Sequence, residues 1–306
     1  MKFIPVVILA FCCVPAAWAQ SGLAFLRLGP NAEAQAMGDA QVAVSKGAFS
    51  SYWNPAGLAV DTGNQAGVAH HIWIGDTRTY NVFGRFAAGQ NAGWGLFAHA
   101  TGVTDLQART RPGEPDGFFD VQFVSTGAAY GRAFGPVRLG ASVKYLSERI
   151  FAESANGYAF DFGAQLTTLG GSLSLGAAVQ HLGSMDDLNI VATPLPRTAR
   201  AGIAFKPFQI LGEQDGAALL NAVLIAEVSH LFPEEGGDLT QVHLGTAVEV
   251  LDLVTVRAGY LTDDNVRSVT LGGGVVTQGL RFDYALLPFT NGFGGPGHIL
   301  TLGYGW

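Results

Sequence analysis

The chain has 306 residues, of which 48% are hydrophobic and only 13% are charged, about half the charged share of soluble proteins. Its net charge of −7 argues against nucleic acid as a partner, because nucleic-acid binding depends on cationic contacts to phosphates. After the N-terminal leader no run of 18 apolar residues occurs. Membrane-spanning helices are therefore excluded, and the apolar residues must be distributed over short segments.

Residues 1–19 are predicted to form a cleaved secretory signal. Lys2 provides the positive start, an apolar run covers residues 3–14, and Ala17-Trp18-Ala19 fits the rule of small residues at the cleavage site. The run is too short to cross a bilayer. Both cysteines, Cys12 and Cys13, lie within this signal. The mature chain is therefore expected to have no disulfide, no thiol chemistry and no cysteine metal site.

The next segment, residues 20–64, has mixed character and no strand pattern. Residues 31–37 are compatible with a short helix, and a turn-rich stretch follows at 50–58. Within it, Asn54-Pro55-Ala56-Gly57 indicates a turn, because Asn and Gly adopt turn conformations and Pro fixes φ. If a membrane barrel follows it, such a segment is either a periplasmic extension or an inserted plug.

Fourteen strand-like segments follow, and their connections alternate in length. The segments cover 65–74, 78–87, 91–101, 119–133, 137–149, 157–168, 171–181, 197–206, 217–230, 239–250, 253–261, 266–276, 280–288 and 297–306. Connections after the second, fourth, sixth, tenth and twelfth segments are short. Those after the third, fifth, seventh, ninth and thirteenth are longer and rich in turn formers, although 207–216 and 75–77 break the rhythm. This alternation predicts an all-β, antiparallel, 14-stranded transmembrane barrel of the outer-membrane type, with both ends of the strand series in the periplasm.

The two faces of each segment support this prediction. In the last one, Leu300, Leu302 and Tyr304 share a face that ends at Trp306, and small or polar residues share the other. Charged residues fall on the face opposite the aromatics, and a charge facing lipid near mid-bilayer costs about 2–4 kcal/mol. We therefore expect a luminal ion network, with a substrate pathway as the alternative. Its members are Arg138, Lys144, Asp161, Arg200, Glu227, Glu249, Arg257, Arg281 and Asp283.

A barrel of this size is wider than those that side chains alone fill, which favours the plug for residues 20–64. The predicted organisation is thus a signal at 1–19, a plug at 20–64 and a barrel at 65–306. The turn at 54–57 is then a possible plug latch. Five apolar residues of the segment would either line a pocket or pack the plug against the wall; these are Phe25, Leu26, Leu28, Tyr52 and Trp53.

No residue pattern marks an active site or a metal site. His70 and His71 are adjacent, so in a strand they face opposite sides and cannot bind one metal together. No nucleophile, base and orienting group are recognisable as a set. The acidic pair Glu234 and Glu235 fits a solvated loop tip better than a calcium site. We expect no enzyme activity and no cofactor.

Several motifs resemble the PorV/PorQ family, a branch of the FadL-like outer-membrane barrels. They extend in order along the whole mature chain, at 34–40, 52–58, 144–146, 157–163, 195–202, 257–260 and 279–285. The resemblance implies a fourteen-strand barrel with an N-terminal plug, inserted by machinery that reads a terminal aromatic such as Trp306. It further implies a non-enzymatic role in type IX protein secretion or cargo attachment.

The expected location is therefore the outer membrane of a Gram-negative cell. The partners are outer-membrane lipid and, at the outer connections, type IX secretion components or cargo domains. Those connections are 102–118, 182–196, 231–238 and 289–296. The alternative function is a FadL-like transporter of hydrophobic small molecules. A general diffusion porin is a third possibility, which the plug and the near-balanced luminal charges disfavour.

Overall fold

The structure is a computed structural model and describes residues 23–207, 209–211, 218–232, 239–264, 266–290 and 295–306. The predicted signal with Cys12 and Cys13, and the acidic pair Glu234 and Glu235, lie outside the described residues. None of the described helices is long and apolar enough to cross a membrane.

Fourteen long strands form the main sheet of the described chain. They are β1 (Gln65–Ile72), β2 (Arg78–Ala87), β3 (Ala92–Ala108), β4 (Gly117–Phe134), β5 (Val137–Ile150), β6 (Glu153–Thr168), β7 (Leu173–Met185), β8 (Arg197–Phe205), β9 (Ala218–Phe232), β10 (Leu239–Val250), β11 (Val254–Leu261), β12 (Val269–Thr277), β13 (Leu280–Leu287) and β14 (Gly297–Gly305). A three-residue strand, Gln209–Leu211, pairs with the start of β9. A separate two-stranded hairpin, Asp187–Leu188 with Val191–Ala192, lies between β7 and β8.

The sheet closes on itself as an antiparallel barrel. Each strand pairs with its neighbour in sequence, and β14 returns to β1 with Gln65 opposite Gly305 and Ile72 opposite His298. β8 and β9 also pair, with Arg197 opposite Phe232. No edge is left between consecutive strands, as a bilayer requires. The predicted fourteen-strand antiparallel barrel is confirmed, and β2 and β10 have the predicted bounds.

The two faces of the wall differ as the sequence pattern predicts. On β6, Phe160 and Phe162 are 47% and 53% exposed, whereas Asp161 between them is fully buried. The same alternation recurs on β13, where Phe282 is exposed and Asp283 is buried. The apolar side chains thus form the outer surface and the ionised ones point inward, so the wall is suited to a lipid bilayer.

We call the end of the barrel at which β1 begins and β14 ends the periplasmic end, since the short turns lie there. The opposite, outer end differs from the sequence prediction. β3 and β4 continue through most of the predicted connection 102–118, which leaves only 109–116 between them. The prediction of a longer connection after β5 is wrong. β5 and β6 stay paired as far as Ile150 and Glu153, so only two residues join them. β3 accommodates its extension with an irregular register next to Asp105, at φ 59°.

Residues 23–64 contain only short helices. These are two 3-10 turns, Ala24–Arg27 and Pro55–Ala59, and two single-turn helices, α1 (Ala32–Gln35) and α2 (Ser50–Trp53). Single turns are marginal in isolation, so packing against the wall must hold them. Two further 3-10 turns, Ile74–Asp76 and Leu169–Gly171, join barrel strands.

Candidate functional site

The N-terminal residues 23–64, which we call the inner segment, contact the inward face of the wall on several sides. The amide of Ala32 donates to Thr301 Oγ1 on β14 at 2.9 Å, and that of Gly38 donates to Thr270 Oγ1 on β12 at 3.0 Å. A backbone amide of the same segment also reaches Glu227 on β9. Because these strands lie around the ring, the contacts place the segment on the inner side of the wall.

The turn at Asn54 is bound tightly to the opposite part of the wall. Asn54 Nδ2 donates to Val42 O at 2.9 Å within the segment and to Ala164 O on β6 at 3.0 Å. A weaker bond reaches Ala177 O on β7 at 3.3 Å. Asn54 Oδ1 accepts from the amide of Ala56 at 3.1 Å. Pro55, Ala56 and Gly57 are buried with it. This geometry suits the latch role suggested from the sequence, which stays a hypothesis.

Three inward carboxylates hold separate clusters of partners. In the first, Asp161 binds Lys144 Nζ at 2.7 Å and accepts from Ser142 Oγ at the same distance. Its other oxygen accepts from the amide of His181 at 2.8 Å. The β6–β7 register shifts at this point and His181 has φ 62°. Because the bulge turns the His181 side chain inward, its Nδ1 lies 3.0 Å from Lys144 Nζ.

The second cluster joins the wall to the inner segment. Glu227 lies 2.5 Å from Arg200 Nε and accepts from the amides of Gln41 and Val42 at 2.7 and 2.8 Å. Arg200 Nη2 also donates to Asp39 O at 2.8 Å. A carboxylate that accepts three charge-assisted or backbone bonds is strongly oriented. This pair therefore fixes residues 39–42 against β8 and β9.

The third cluster lies between β11, β13 and α1. Arg257 Nη1 binds Asp283 Oδ1 at 2.9 Å, and Arg281 Nη1 binds Glu33 Oε2 at 2.6 Å. Burial would raise the pKa of Glu33, but the charges of Arg281, Arg257 and Lys46 outweigh it and lower that pKa to about 2.

The residues predicted as one luminal network do not form a single network, because the three clusters are separate. Seven of them lie in these ion pairs. Arg138 and Glu249 form no ion pair with the described residues. Arg138 donates instead to Thr167 Oγ1. The arrangement resembles scaffolding for the inner segment more than a ring that selects ions.

Two inward arginines outside the predicted set also hold the inner segment. Arg267, in the connection between β11 and β12, binds Gln35 Oε1, Asp39 Oδ2 and Asp264. Burial alone would lower the pKa of Arg267, but the two carboxylates raise it. Arg85 on β2 donates from Nε to Leu58 O at 2.9 Å. Arg85 alternates with the outward residues of β2, so the alternation in the sequence predicts that its side chain points inward. Arg267 lies in the predicted strand segment 266–276, whose alternation puts it on the outward face of Val269 and Leu271. That expectation is wrong, because β12 begins only at Val269 and Arg267 is buried.

An apolar cluster lies toward the outer end of the interior, and we call it the outer apolar cluster. Its fully buried members are Leu23, Phe25, Leu26, Leu146, Ala155, Ala159, Met185 and Leu195. Phe25 stacks on Phe123 with ring centroids 5.4 Å apart and meets His99 edge-on at 5.2 Å. The inner segment therefore supplies three apolar side chains to a chamber whose wall belongs to β4–β7. Of the residues suggested to line a pocket, Phe25, Leu26 and Leu28 contact this cluster.

The other two suggested pocket residues lie elsewhere. Tyr52 and Trp53 pack with Phe83 and Phe97 in a separate cluster against β2 and β3. Tyr52 Oη donates to Leu26 O at 2.7 Å, which couples the two clusters. Burial raises the pKa of Tyr52, so its hydroxyl stays a donor at ordinary pH.

The histidines do not form a metal site in the described part of the chain, where no group of three or more potential ligands occurs. His71 faces inward beside Pro30 O, at 3.1 Å, and His70 stacks on Tyr80 on the outer face. The terminal Trp306 is 57% exposed and stacks on Tyr304. Its backbone pairs with Asn64, at 2.9 and 3.0 Å, which ties the chain end to the base of the inner segment.

A comparison with protein-family models found no match, and neither did one with curated proteins. Several solved structures are similar over nearly their whole length. The CymD monoaromatic hydrocarbon channel has a TM-score of 0.62 at 13% identity, covering 94% of this chain and 98% of that one. The toluene transporter TodX of P. putida has a TM-score of 0.58 at 13% identity, covering 90% and 98%.

A FadL homologue of Pseudomonas aeruginosa gives a TM-score of 0.57 at 12% identity, covering 94% of this chain and 99% of that one. At such low identity the likeness establishes the fold alone. These neighbours are named as channels, transporters or a FadL homologue, and none is named as an enzyme. The chain has the fold of a FadL-like transmembrane β-barrel.

Proposed function

We propose that this protein is an outer-membrane channel for hydrophobic small molecules. The observation on which the proposal rests is the end-to-end likeness of fold to a monoaromatic hydrocarbon channel, with 94% of this chain and 98% of the other covered. The outer apolar cluster provides the chemical counterpart, because an apolar solute enters a chamber of this kind without losing hydrogen bonds.

The route begins at the outer end. Phe118 and Phe151 there are 62% and 63% exposed, and Ile190 and Val191 on the small hairpin are also exposed. Exposed apolar groups of this size are unusual on a solvated surface and suit adsorption of an apolar solute. The route continues to the outer apolar cluster, where Phe25 of the inner segment stands in the position that a solute would take.

The inner segment closes this route at rest. Its apolar residues fill the chamber. Glu227 holds its backbone, and Arg267 holds the side chains of Gln35 and Asp39. Passage therefore requires residues 23–28 to move, while the Asn54 turn holds the rest of the segment. In this proposal the segment is a plug with a movable apolar end and a fixed base.

A role in type IX secretion was the first expectation from the sequence, and it stays a prediction. None of the three solved structures named above is described as a secretion component. A general diffusion porin would require an open aqueous lumen. Such a lumen conflicts with the buried contacts of the inner segment around Asn54 and Glu227.

The test is uptake of radiolabelled toluene by cells whose outer membrane otherwise limits its entry. We expect the wild-type chain to accelerate uptake over cells without it. Phe123→Gln, which places an amide in the outer apolar cluster, should abolish the gain. The matched control is Phe97→Gln, which makes the same change in the separate cluster near Trp53. Uptake no faster than in cells without the protein would refute the proposal. So would porin-like conductance in planar bilayers.

A further inference from the structure

A second cavity lies at the periplasmic end, between the inner segment and the wall. It has a volume of about 610 Å³ and lies against the turn residues Gly170, Gly171 and Ser172, so it faces the periplasm. The outer apolar cluster contributes no lining residue to it. Neither the ion clusters nor the proposed entry route explains why the interior is left open here.

Cationic side chains dominate the charged lining of this cavity. Five of them line it, namely Lys46, Arg138, Lys206, Arg257 and Arg281. The lining carboxylates are Glu33 and Glu249. Arg281 is neutralised by Glu33, and Arg257 by Asp283. Among the described lining residues, Lys46, Arg138 and Lys206 then face Glu249 alone, which leaves this part of the lining with a positive excess.

Two of these guanidinium groups have donors without a partner among the residues that the structure describes. Arg257 is 3% exposed, and its Nε atom is buried with no hydrogen-bond acceptor. Arg138 Nε is likewise buried without an acceptor. A buried N–H donor that is left unsatisfied is costly, more so on a charged group. An acceptor entering the cavity would satisfy these donors.

The uncharged part of the lining contains polar side chains, such as Gln165 and Thr255, and an apolar patch. Met37 and Val44 of the inner segment and Val223, Ile225 and Ala247 of the wall form one continuous cluster, part of which borders the cavity. The lining of the cavity thus combines cations with an apolar surface. Inorganic phosphate would use only the first of these surfaces, and a neutral hydrocarbon only the second.

We propose that the periplasmic cavity is a binding site for an organic anion, with a carboxylate or an equivalent group on a small apolar body. The anionic group binds Arg138 and Lys206, and the apolar body rests on Ile225 and Ala247. Such a site would bind an acidic compound on the periplasmic side whether or not the barrel transports hydrocarbons.

The test is calorimetric binding of benzoate, with benzyl alcohol and inorganic phosphate as comparison probes, to the purified full chain in detergent. Detergent without protein is the blank. Benzoate should bind more tightly than either comparison probe. Arg138→Gln should weaken benzoate about tenfold, the worth of one charge-assisted bond. Lys206→Gln, an exposed change that leaves the fold intact, should also weaken it. Arg109→Gln, in the outer connection, is the matched control and should change nothing.

Benzoate binding no tighter than benzyl alcohol would overturn the proposal, as would equal losses from Arg109→Gln and Arg138→Gln. Phosphate binding as tight as benzoate would also overturn it, because the apolar surface would then have no part. The outcome is separable from the uptake assay. Benzoate binding without toluene uptake would reject the channel and leave the anion site, and the reverse result would do the opposite.

Discussion

Gly163 on β6 lies directly against the carboxamide of Asn54, and a Cβ atom at Gly163 would lie only 2.0 Å from Asn54 Oδ1. Gly140 on the neighbouring strand is in the same situation, since a Cβ there would lie 2.3 Å from the carbonyl carbon of Pro55. The wall therefore has no side chain at these two positions, where the turn of the inner segment contacts it. The two strands and the turn fit only because neither glycine has a side chain.

Gly163→Ala is expected to dislodge this turn. The added methyl group meets Asn54 and the ring of Pro55, at 2.0 and 3.0 Å, and neither is a flexible chain end. Limited proteolysis should then cleave within residues 23–64 faster than in the wild type. Gly303→Ala is the control, because a Cβ atom at this position on β14 would lie 3.7 Å from the nearest atom of the described residues, Ala66 O. Equal proteolysis of the two variants would contradict the account.

Asn54→Ala should weaken the same attachment by removing its hydrogen bonds. The carbonyl oxygens of Ala164 and Val42 each lose the hydrogen bond from Asn54 Nδ2. The methyl group of alanine cannot donate a replacement. Val42 O keeps the bond from Gln165 Nε2, and each hydrogen bond that is lost contributes about 0.5–1.5 kcal/mol to stability. The free energy of unfolding should therefore fall by an amount of this order. The measurement is the shift of the folded band on gels. The exposed Asn91 provides the control, and a loss as large in Asn91→Ala would remove the special role of Asn54.

Stability should depend on pH through Glu33. Its pKa in the folded chain is about 2, below its ordinary value of 4.5. The ion pair with Arg281 thus stabilises the fold fully above pH 4.5, and this contribution is lost as pH falls toward 2. Thermal unfolding measured across this acidic range should show a decline that Glu33→Gln reduces. An unchanged decline in Glu33→Gln would assign the effect to other carboxylates.

Arg267→Gln should release the inner segment from the outer connection. Asp39 is 3% exposed and would lose its only ion-pair partner among the described residues. Removing one member of a buried pair costs about 3–5 kcal/mol. We expect the variant to show brief conductance openings in planar bilayers, which the wild type lacks. Arg109→Gln, an exposed change in another connection, is the control, and openings of the same frequency there would refute this prediction.

Much of the barrel was readable from the sequence because membrane strands show strict alternation. The sequence alternation predicts that Phe160 and Phe162 face outward and Asp161 faces inward, as the structure has them. The outer ends of the strands could not be predicted in this way. Beyond the bilayer the outer ends of β3 and β4 face water, so residues such as Asp105 and Gln107 carry no alternating pattern, and backbone pairing alone extends the strands.

The interior was only partly predictable for a different reason. Alternation tells which residues point inward, as for Arg200 and Glu227, but not which of them meet across the lumen. The path of the inner segment decides that, and its single-turn helices have no periodicity that fixes a path. Arg267 illustrates the limit, since its partners Gln35 and Asp39 lie more than 200 positions away in the chain.

The most direct test of the two-sided wall compares neighbouring cysteines labelled with bimane in bilayers of brominated lipid. Val256 is 63% exposed on the outer face, and Thr255 lines the periplasmic cavity on the inner face. We predict strong quenching at Val256→Cys and little at Thr255→Cys, which should instead react with a charged, water-soluble maleimide. Equal quenching at both positions, or the reverse order, would contradict a barrel whose apolar face meets lipid and whose interior holds the inner segment.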